Sequence, residues 1–124
     1  MDEAFLERLR DIFRAEARDH VSDLREGLRE LEANGASGPS AALDKAFRAA
    51  HSLKGAARAV NEADVEARGQ DLENRLAALK KGRGVEAGSA DLHVALEALA
   101  ASLEEAGISV EVGPPAASQR ERPP

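Results

Sequence analysis

Apolar residues recur every three or four positions in four separate stretches of this chain, the spacing that places them on one face of an α-helix. The stretches run from about Asp2 to Asn34, from Pro39 or Ser40 to Val60, from Ala63 to Lys81, and from Ala90 to Ala106. Four such helices with short loops bury their apolar faces most simply against one another. The sequence therefore predicts an all-α protein, an antiparallel up-and-down four-helix bundle.

The residues between these stretches are ones that begin or end helices. Gly35, Gly82 and Gly107 follow three of the stretches, and glycine readily takes the left-handed conformation that closes a helix. Asn61, which tolerates that conformation better than most residues, follows the second stretch. Ser89 is placed to accept hydrogen bonds from the first amides of the fourth helix.

The three histidines fall on three different predicted helices. His20 lies on the apolar face of the first helix, which runs from Phe5 through Phe13 to Leu31, and we expect it to be packed in the interior. His93 is expected on a helix surface. Because no cluster of His, Cys or carboxylates has the spacing of a metal site, we expect no bound metal.

The last seventeen positions do not continue the helical pattern. Residues 108–112 alternate like a short strand but have no visible partner strand, and residues 113–124 are rich in Pro, Ala and Arg. We therefore expect a bundle at residues 1–107. Residues 108–124 are predicted to form a linker or flexible tail, extended against the bundle or disordered.

Composition excludes several classes of function. The chain has no cysteine, a net charge of −6 and only three aromatic residues, all Phe, which argues against disulfides, thiolate metal sites and a nucleic-acid surface. No apolar run is long enough to cross a bilayer and no secretion signal is visible, so we expect a cytoplasmic protein with no membrane contact. The chain also lacks P-loop, GxGxxG, HExxH and GxSxG motifs, so an autonomous enzyme is not expected.

The second predicted helix carries a histidine among groups suited to phosphoryl chemistry. Lys54 and Gly55 lie one turn after His51 and Arg58 lies two turns after it, all on the same side. Lys54 offers a cation to a phosphoryl oxygen. Gly55 leaves room for a partner protein, or alternatively lets a neighbouring helix pack closely. Arg58 either assists docking or is simply solvated.

A nucleophilic histidine also needs a group that fixes which ring nitrogen carries the proton. The third helix offers Gln70 and Glu73 on the flank of its leucine face. A carboxylate bonded to one ring nitrogen leaves the lone pair of the other free to attack phosphorus. Glu73 is therefore the expected partner of His51.

The segment FRAAHSLKGAARAV at 47–60, followed by DLENRL at 71–76, resembles the N-terminal histidine phosphotransfer domain of CheA-type chemotaxis histidine kinases. The resemblance covers about residues 3–106. In that family a histidine is followed after two residues by Lys-Gly, and a glutamate on the next helix lies near the histidine. The resemblance implies that His51 is the phosphoacceptor and that Lys54 and Glu73 take part in the chemistry. The residues expected to contact a partner are Phe47, Gly55, Arg58 and Gln70.

The resemblance further implies a phosphocarrier with two kinds of partner. An ATP-binding kinase domain, in the same chain or another, would phosphorylate His51, and an aspartate of a CheY-like response regulator receiver domain would take the group. The chain itself would bind no cofactor, because ATP belongs to the kinase domain and Mg²⁺ to the regulator. The parent polypeptide would then be a histidine protein kinase.

Three positions depart from the family pattern. Ala56 and Asn61 stand where the family usually has glycine, and Gln70 stands where chemotaxis kinases often have a histidine. The alternative function is a helical adaptor without chemistry, which would dock and sequester a regulator or a kinase.

Overall fold

A computed structural model of the chain describes residues 2–34, 40–82 and 88–109. These residues form four α-helices: α1 (Glu3–Asn34), α2 (Ala41–Ala59), α3 (Ala63–Lys80) and α4 (Gly88–Glu105). The described ranges contain no strand. The all-α prediction is confirmed.

The helices alternate in direction, as ion pairs between neighbours show. Glu26 near the end of α1 pairs with Lys45 at the start of α2, with 2.9 Å between Oε2 and Nζ. Asp44 at the start of α2 likewise pairs with Lys80 at the end of α3, so these two helices are also antiparallel. Each helix packs on the next along the chain, and α4 also contacts α1, which closes the bundle.

The core is built from leucine and alanine. Its fully covered large side chains include Leu24, Leu28, Leu43, Leu53, Leu72, Leu76, Leu96, Leu99 and Leu103. The alanines are concentrated on α2, where small side chains let α1 and α3 approach closely. Gly27 of α1 also lets α1 approach α2 closely. A methyl carbon there would lie 3.0 Å from the Ala42 carbonyl oxygen and from the Ala46 Cβ.

Most of the predicted helix ends are confirmed. Ser40 caps α2, since its Oγ accepts a hydrogen bond of 3.0 Å from the backbone N–H of Leu43. Asn61, Gly82 and Gly107 all have positive φ, at 60°, 79° and 87°. The cap predicted at Ser89 is wrong, because α4 already begins at Gly88. The stop predicted at Gly35 lies outside the described residues.

The first turns of α1 lie outside the core. No residue from Glu3 to Ile12 is buried, and the first core residue of the helix is Phe13. Phe5, predicted to face the interior, is exposed, and so is Ile12. The apolar spacing is present there, but the other helices cover it only in part: Leu9 packs partly buried against the core, whereas Phe5 and Ile12 do not. None of the helices in the described part of the chain combines the length and apolarity needed to cross a bilayer.

The packed core extends past the boundary predicted at Gly107. Ile108 is only 1% exposed, and its backbone N–H donates to the Leu103 carbonyl oxygen at 2.9 Å. The next residue is also held, since Arg18 Nε of α1 donates to the Ser109 carbonyl oxygen at 3.3 Å. Ile108 and Ser109 therefore lie against the bundle after α4, with Ser109 held by α1. The tail predicted beyond them lies outside the described residues.

Candidate functional site

His51 lies at the edge of the buried face of α2. Its side chain is 65% exposed, whereas its neighbours Ala50 and Leu53 are fully buried. The helical period produces this placement, because His51 is rotated only part of a turn from the alanine-leucine face. One edge of the imidazole ring is thus held by protein and the rest is open.

The held edge of the ring faces α3. His51 Nδ1 lies 2.6 Å from Oε2 of Glu73, whose side chain is only 14% exposed. The two residues come from consecutive antiparallel helices. The structure thus brings together the histidine and the carboxylate that the sequence analysis paired.

The other oxygen of Glu73 is held by a lysine. Lys54 Nζ donates to Oε1 of Glu73 at 3.0 Å and to Oε1 of Gln70 at 3.1 Å. The amide of Gln70 in turn donates to Asn74 Oδ1 at 2.8 Å. The Lys54 ammonium therefore points toward α3 and fixes the carboxylate, and it does not extend over the open edge of His51.

This arrangement determines the charge of Glu73 and the proton position on His51. Burial alone would raise the pKa of Glu73, but the hydrogen bonds from His51 and Lys54, together with the Lys54 charge, outweigh it and lower the pKa below its ordinary value. Glu73 is thus an ionised acceptor at neutral pH. Because a carboxylate can only accept, Nδ1 must donate, and in the neutral ring the lone pair is then on Nε2.

The open side of the ring faces a groove between α1 and α2. The groove is lined by Glu16, Asp19, His20, His51, Ser52, Gly55 and Ala56. Apart from the chain neighbours and the nearby backbone of α2 itself, no described atom would lie within 4 Å of a methyl carbon at Gly55. Close helix packing, the alternative explanation for this glycine, is therefore wrong, and its position is open to an incoming molecule.

The other two histidines differ from their predicted surroundings. His20 is half-buried in the groove wall beside His51 and is not a core residue. His93 is not an ordinary surface residue either: both of its ring nitrogens are shielded and have no hydrogen-bond partner among the described residues. Within the described ranges no group of three or more His, Cys, Asp or Glu side chains could hold a metal ion.

An aromatic side chain flanks the histidine one turn earlier on α2. The Phe47 and His51 rings are nearly parallel, at 8°, with centroids 6.5 Å apart. Lys80 Nζ of α3 lies 4.8 Å from the Phe47 ring centroid, a cation–π distance. Phe47 is therefore held between α3 and the His51 ring.

Two arginines of α2 lie near the histidine. Arg58 is largely exposed and pairs with Glu66 of α3, with 3.1 Å between Nε and Oε2. Arg48 was missed by the sequence analysis. It is exposed three residues before His51, the spacing that makes side chains neighbours on a helix, and no hydrogen bond or ion pair engages it among the described residues. That spacing was the signal available in the sequence.

Comparison with known protein families gives a match over most of the chain. The model of the Hpt domain family matches residues 8–106. The match contains α2, α3 and α4 completely and all of α1 except its first five residues. No curated protein and no solved structure gives a significant match.

Proposed function

The chain belongs to the Hpt domain family of histidine phosphotransfer carriers in two-component signalling, and we propose that His51 is the residue that carries the phosphoryl group. Nε2 receives the group from a histidine kinase domain, and an aspartate of a response regulator then takes it. Lys54 and Glu73 assist at His51. Phe47, Gly55, Arg58 and Gln70 form or support the surface that the partner contacts.

The single observation that carries this proposal is the 2.6 Å contact between His51 Nδ1 and Glu73 Oε2, with the opposite edge of the ring left open. Two features make a neutral histidine a good nucleophile. Its tautomer is fixed, and a negatively charged hydrogen-bond acceptor stabilises the positive charge that develops on the ring. The contact supplies both. An ordinary surface histidine needs neither.

The chemistry balances as two displacements at phosphorus. In the first, the Nε2 lone pair attacks the γ-phosphorus of ATP held by the kinase domain, an N–P bond forms, and the P–O bond to ADP breaks. Positive charge that develops on the ring is stabilised through Nδ1–H by the Glu73 carboxylate. In the second, an aspartate oxygen attacks the same phosphorus, the N–P bond breaks, and its electron pair returns to Nε2.

The partners supply what this chain lacks for the reaction. ATP is bound by the kinase domain and Mg²⁺ by the regulator, and we assign no cofactor to this chain. We also assign the chain to the cytoplasm, where a kinase domain is supplied with ATP. We further assign the chain to the CheA-type chemotaxis branch, on the resemblance carried by residues 47–60 and 71–76.

The test is transfer of ³²P from labelled ATP by a CheA-type kinase core to the purified protein. We expect a label that is lost in acid and stable in alkali, and that disappears in His51→Gln. His20→Gln is the matched control, because His20 lines the same groove and should keep the label. Label that survives in His51→Gln would overturn the assignment. A protein that binds the kinase or a receiver but never takes label would be the adaptor instead.

A further inference from the structure

We propose that Gly69 is a positioning residue for the histidine chemistry, because its missing side chain sets the distance between α2 and α3 at which Glu73 reaches both His51 and Lys54. This role rests on the proposed function, but the effect of Gly69 on the contact between His51 and Glu73 can be tested without any phosphoryl transfer.

Gly69 is buried in the middle of α3, where glycine is otherwise unfavourable. A methyl carbon at this position would lie 3.3 Å from the Cβ of Lys54 and 3.4 Å from its Cα and its backbone nitrogen. These atoms belong to the backbone and the first side-chain carbon of α2. They cannot swing away as the end of a long side chain would. The 3.3 Å contact with the Lys54 Cβ is tighter than ordinary packing, so a methyl group here is accommodated by a shift of α2 relative to α3 of a few tenths of an ångström.

The contact lies at Lys54 itself and one helical turn from each of the other two members of the site. Along α3 it precedes Glu73 by four residues, and along α2 Lys54 follows His51 by three. Any increase in the distance between α2 and α3 at this point lengthens the 2.6 Å contact from His51 Nδ1 to Glu73 Oε2 and the 3.0 Å hydrogen bond from Lys54 Nζ to Glu73 Oε1. Hydrogen bonds weaken steeply with such displacements, and catalytic groups tolerate little misplacement.

A second crowded glycine offers a matched control. Gly27 of α1 is at least as tightly packed, with 3.0 Å from its methyl position to the Ala42 oxygen and to the Ala46 Cβ. That contact joins α1 to the first two turns of α2, ahead of His51 in the middle of the helix. Gly27→Ala thus reproduces the strain of inserting a methyl group between helices without widening the gap between α2 and α3.

The experiment compares wild type, Gly69→Ala and Gly27→Ala in two measurements, each on protein shown by thermal melting to be folded. The first is the pair of ¹⁵N shifts of the His51 ring, which report whether Nδ1 or Nε2 holds the proton. The second is the rate at which phosphoramidate phosphorylates His51. In that reaction Nε2 forms a bond to phosphorus and the P–N bond of the donor breaks, releasing ammonia.

We expect Gly69→Ala to shift the ring away from the Nδ1–H tautomer and to slow phosphorylation by about 3- to 10-fold, less than the roughly 10- to 100-fold typical of losing an orienting partner outright. Gly27→Ala should keep both values even if it melts at a lower temperature. Wild-type tautomer and rate in Gly69→Ala would overturn the inference. So would equal losses in both variants, or a Gly69→Ala protein that cannot fold, since the contact would then serve the bundle and not the site. If wild type takes no phosphoryl group at all, the proposed function fails, while the ¹⁵N shifts still decide the role of Gly69.

Discussion

Replacing Glu73 with glutamine tests the site most directly, because the change removes charge with almost no change in shape. The two closest neighbours of the carboxylate are both donors: His51 Nδ1–H faces Oε2 and Lys54 Nζ faces Oε1, to which the Gln70 amide also donates at 3.4 Å. An amide has one oxygen and one NH₂ group, so it can accept from one of these donors and must turn its own N–H groups toward the other. The variant therefore loses either the histidine contact or the lysine contact.

The rate should fall in either orientation, because an amide that still accepts from Nδ1–H lacks the negative charge that stabilises the ring. Losing the group that orients a histidine costs roughly 10- to 100-fold in rate. Leaving the half-buried Lys54 ammonium without its carboxylate costs roughly 1–3 kcal/mol of folding stability. We expect Glu73→Gln to be phosphorylated on His51 roughly 10- to 100-fold more slowly, in a time course with phosphoramidate and one with the kinase core.

The same variant has a distinctive pH dependence. The lowered pKa of Glu73 means that the ionised carboxylate stabilises the folded protein. That contribution is complete above the ordinary pKa of 4.5 and is lost as the pH falls through the lower folded-state value. In urea titrations, wild type should thus lose more stability than Glu73→Gln between neutral pH and acid. Phosphorylation of Glu73→Gln at the wild-type rate, together with equal pH dependence of the two proteins, would refute the role we give this carboxylate.

Three further predictions concern residues around the site and at the end of the bundle. Gly55→Gln should raise the melting temperature by a few degrees at most, because glutamine gains somewhat under about 1 kcal/mol in helix propensity, and yet it should slow phosphoryl transfer to a receiver domain. A destabilised variant that transfers at the wild-type rate would contradict this. Arg48→Gln should lower the rate of His51 phosphorylation by about threefold to tenfold, because it removes a cation beside the open side of the ring, whereas Arg68→Gln, which removes an exposed charge on α3, should not. Equal rates in the two variants would remove Arg48 from the site. Ile108→Ala should lower the free energy of unfolding in urea by about 2–5 kcal/mol, and an effect no larger than that of Ser109→Ala would show that Ile108 is not part of the core.

The helical period was enough to predict the four helices and the pairing of His51 with Glu73. Both follow from which residues share a face, and an antiparallel neighbour brings the flanks of two faces together. The burial of Phe5 was predicted wrongly for a related reason. Periodicity reports which side of a helix is apolar, but not how far the neighbouring helices extend beside it.

The direction of Lys54 could not be predicted from the sequence. A lysine side chain reaches in many directions, and the choice between a solvent-facing ammonium and one bound to Glu73 depends on the spacing between α2 and α3. That spacing depends on Gly69, whose role is visible only once the distance to the Lys54 backbone is known. The sequence left open whether Ile108 packs against the bundle, because a single residue beyond a helix has no periodicity from which burial can be inferred.

The acidic wall of the groove beside His51 has a thermodynamic consequence for a phosphorylated carrier. Glu16 and Asp19 line the same groove as the open edge of the ring, in a protein whose net charge is already −6. A phosphoryl group on Nε2 would add about two negative charges to the groove that these carboxylates line. Repulsion of this kind raises the free energy of the phosphohistidine relative to the free histidine. It thereby increases the tendency of the group to move on to an acceptor that holds a cation, and higher ionic strength should reduce that tendency.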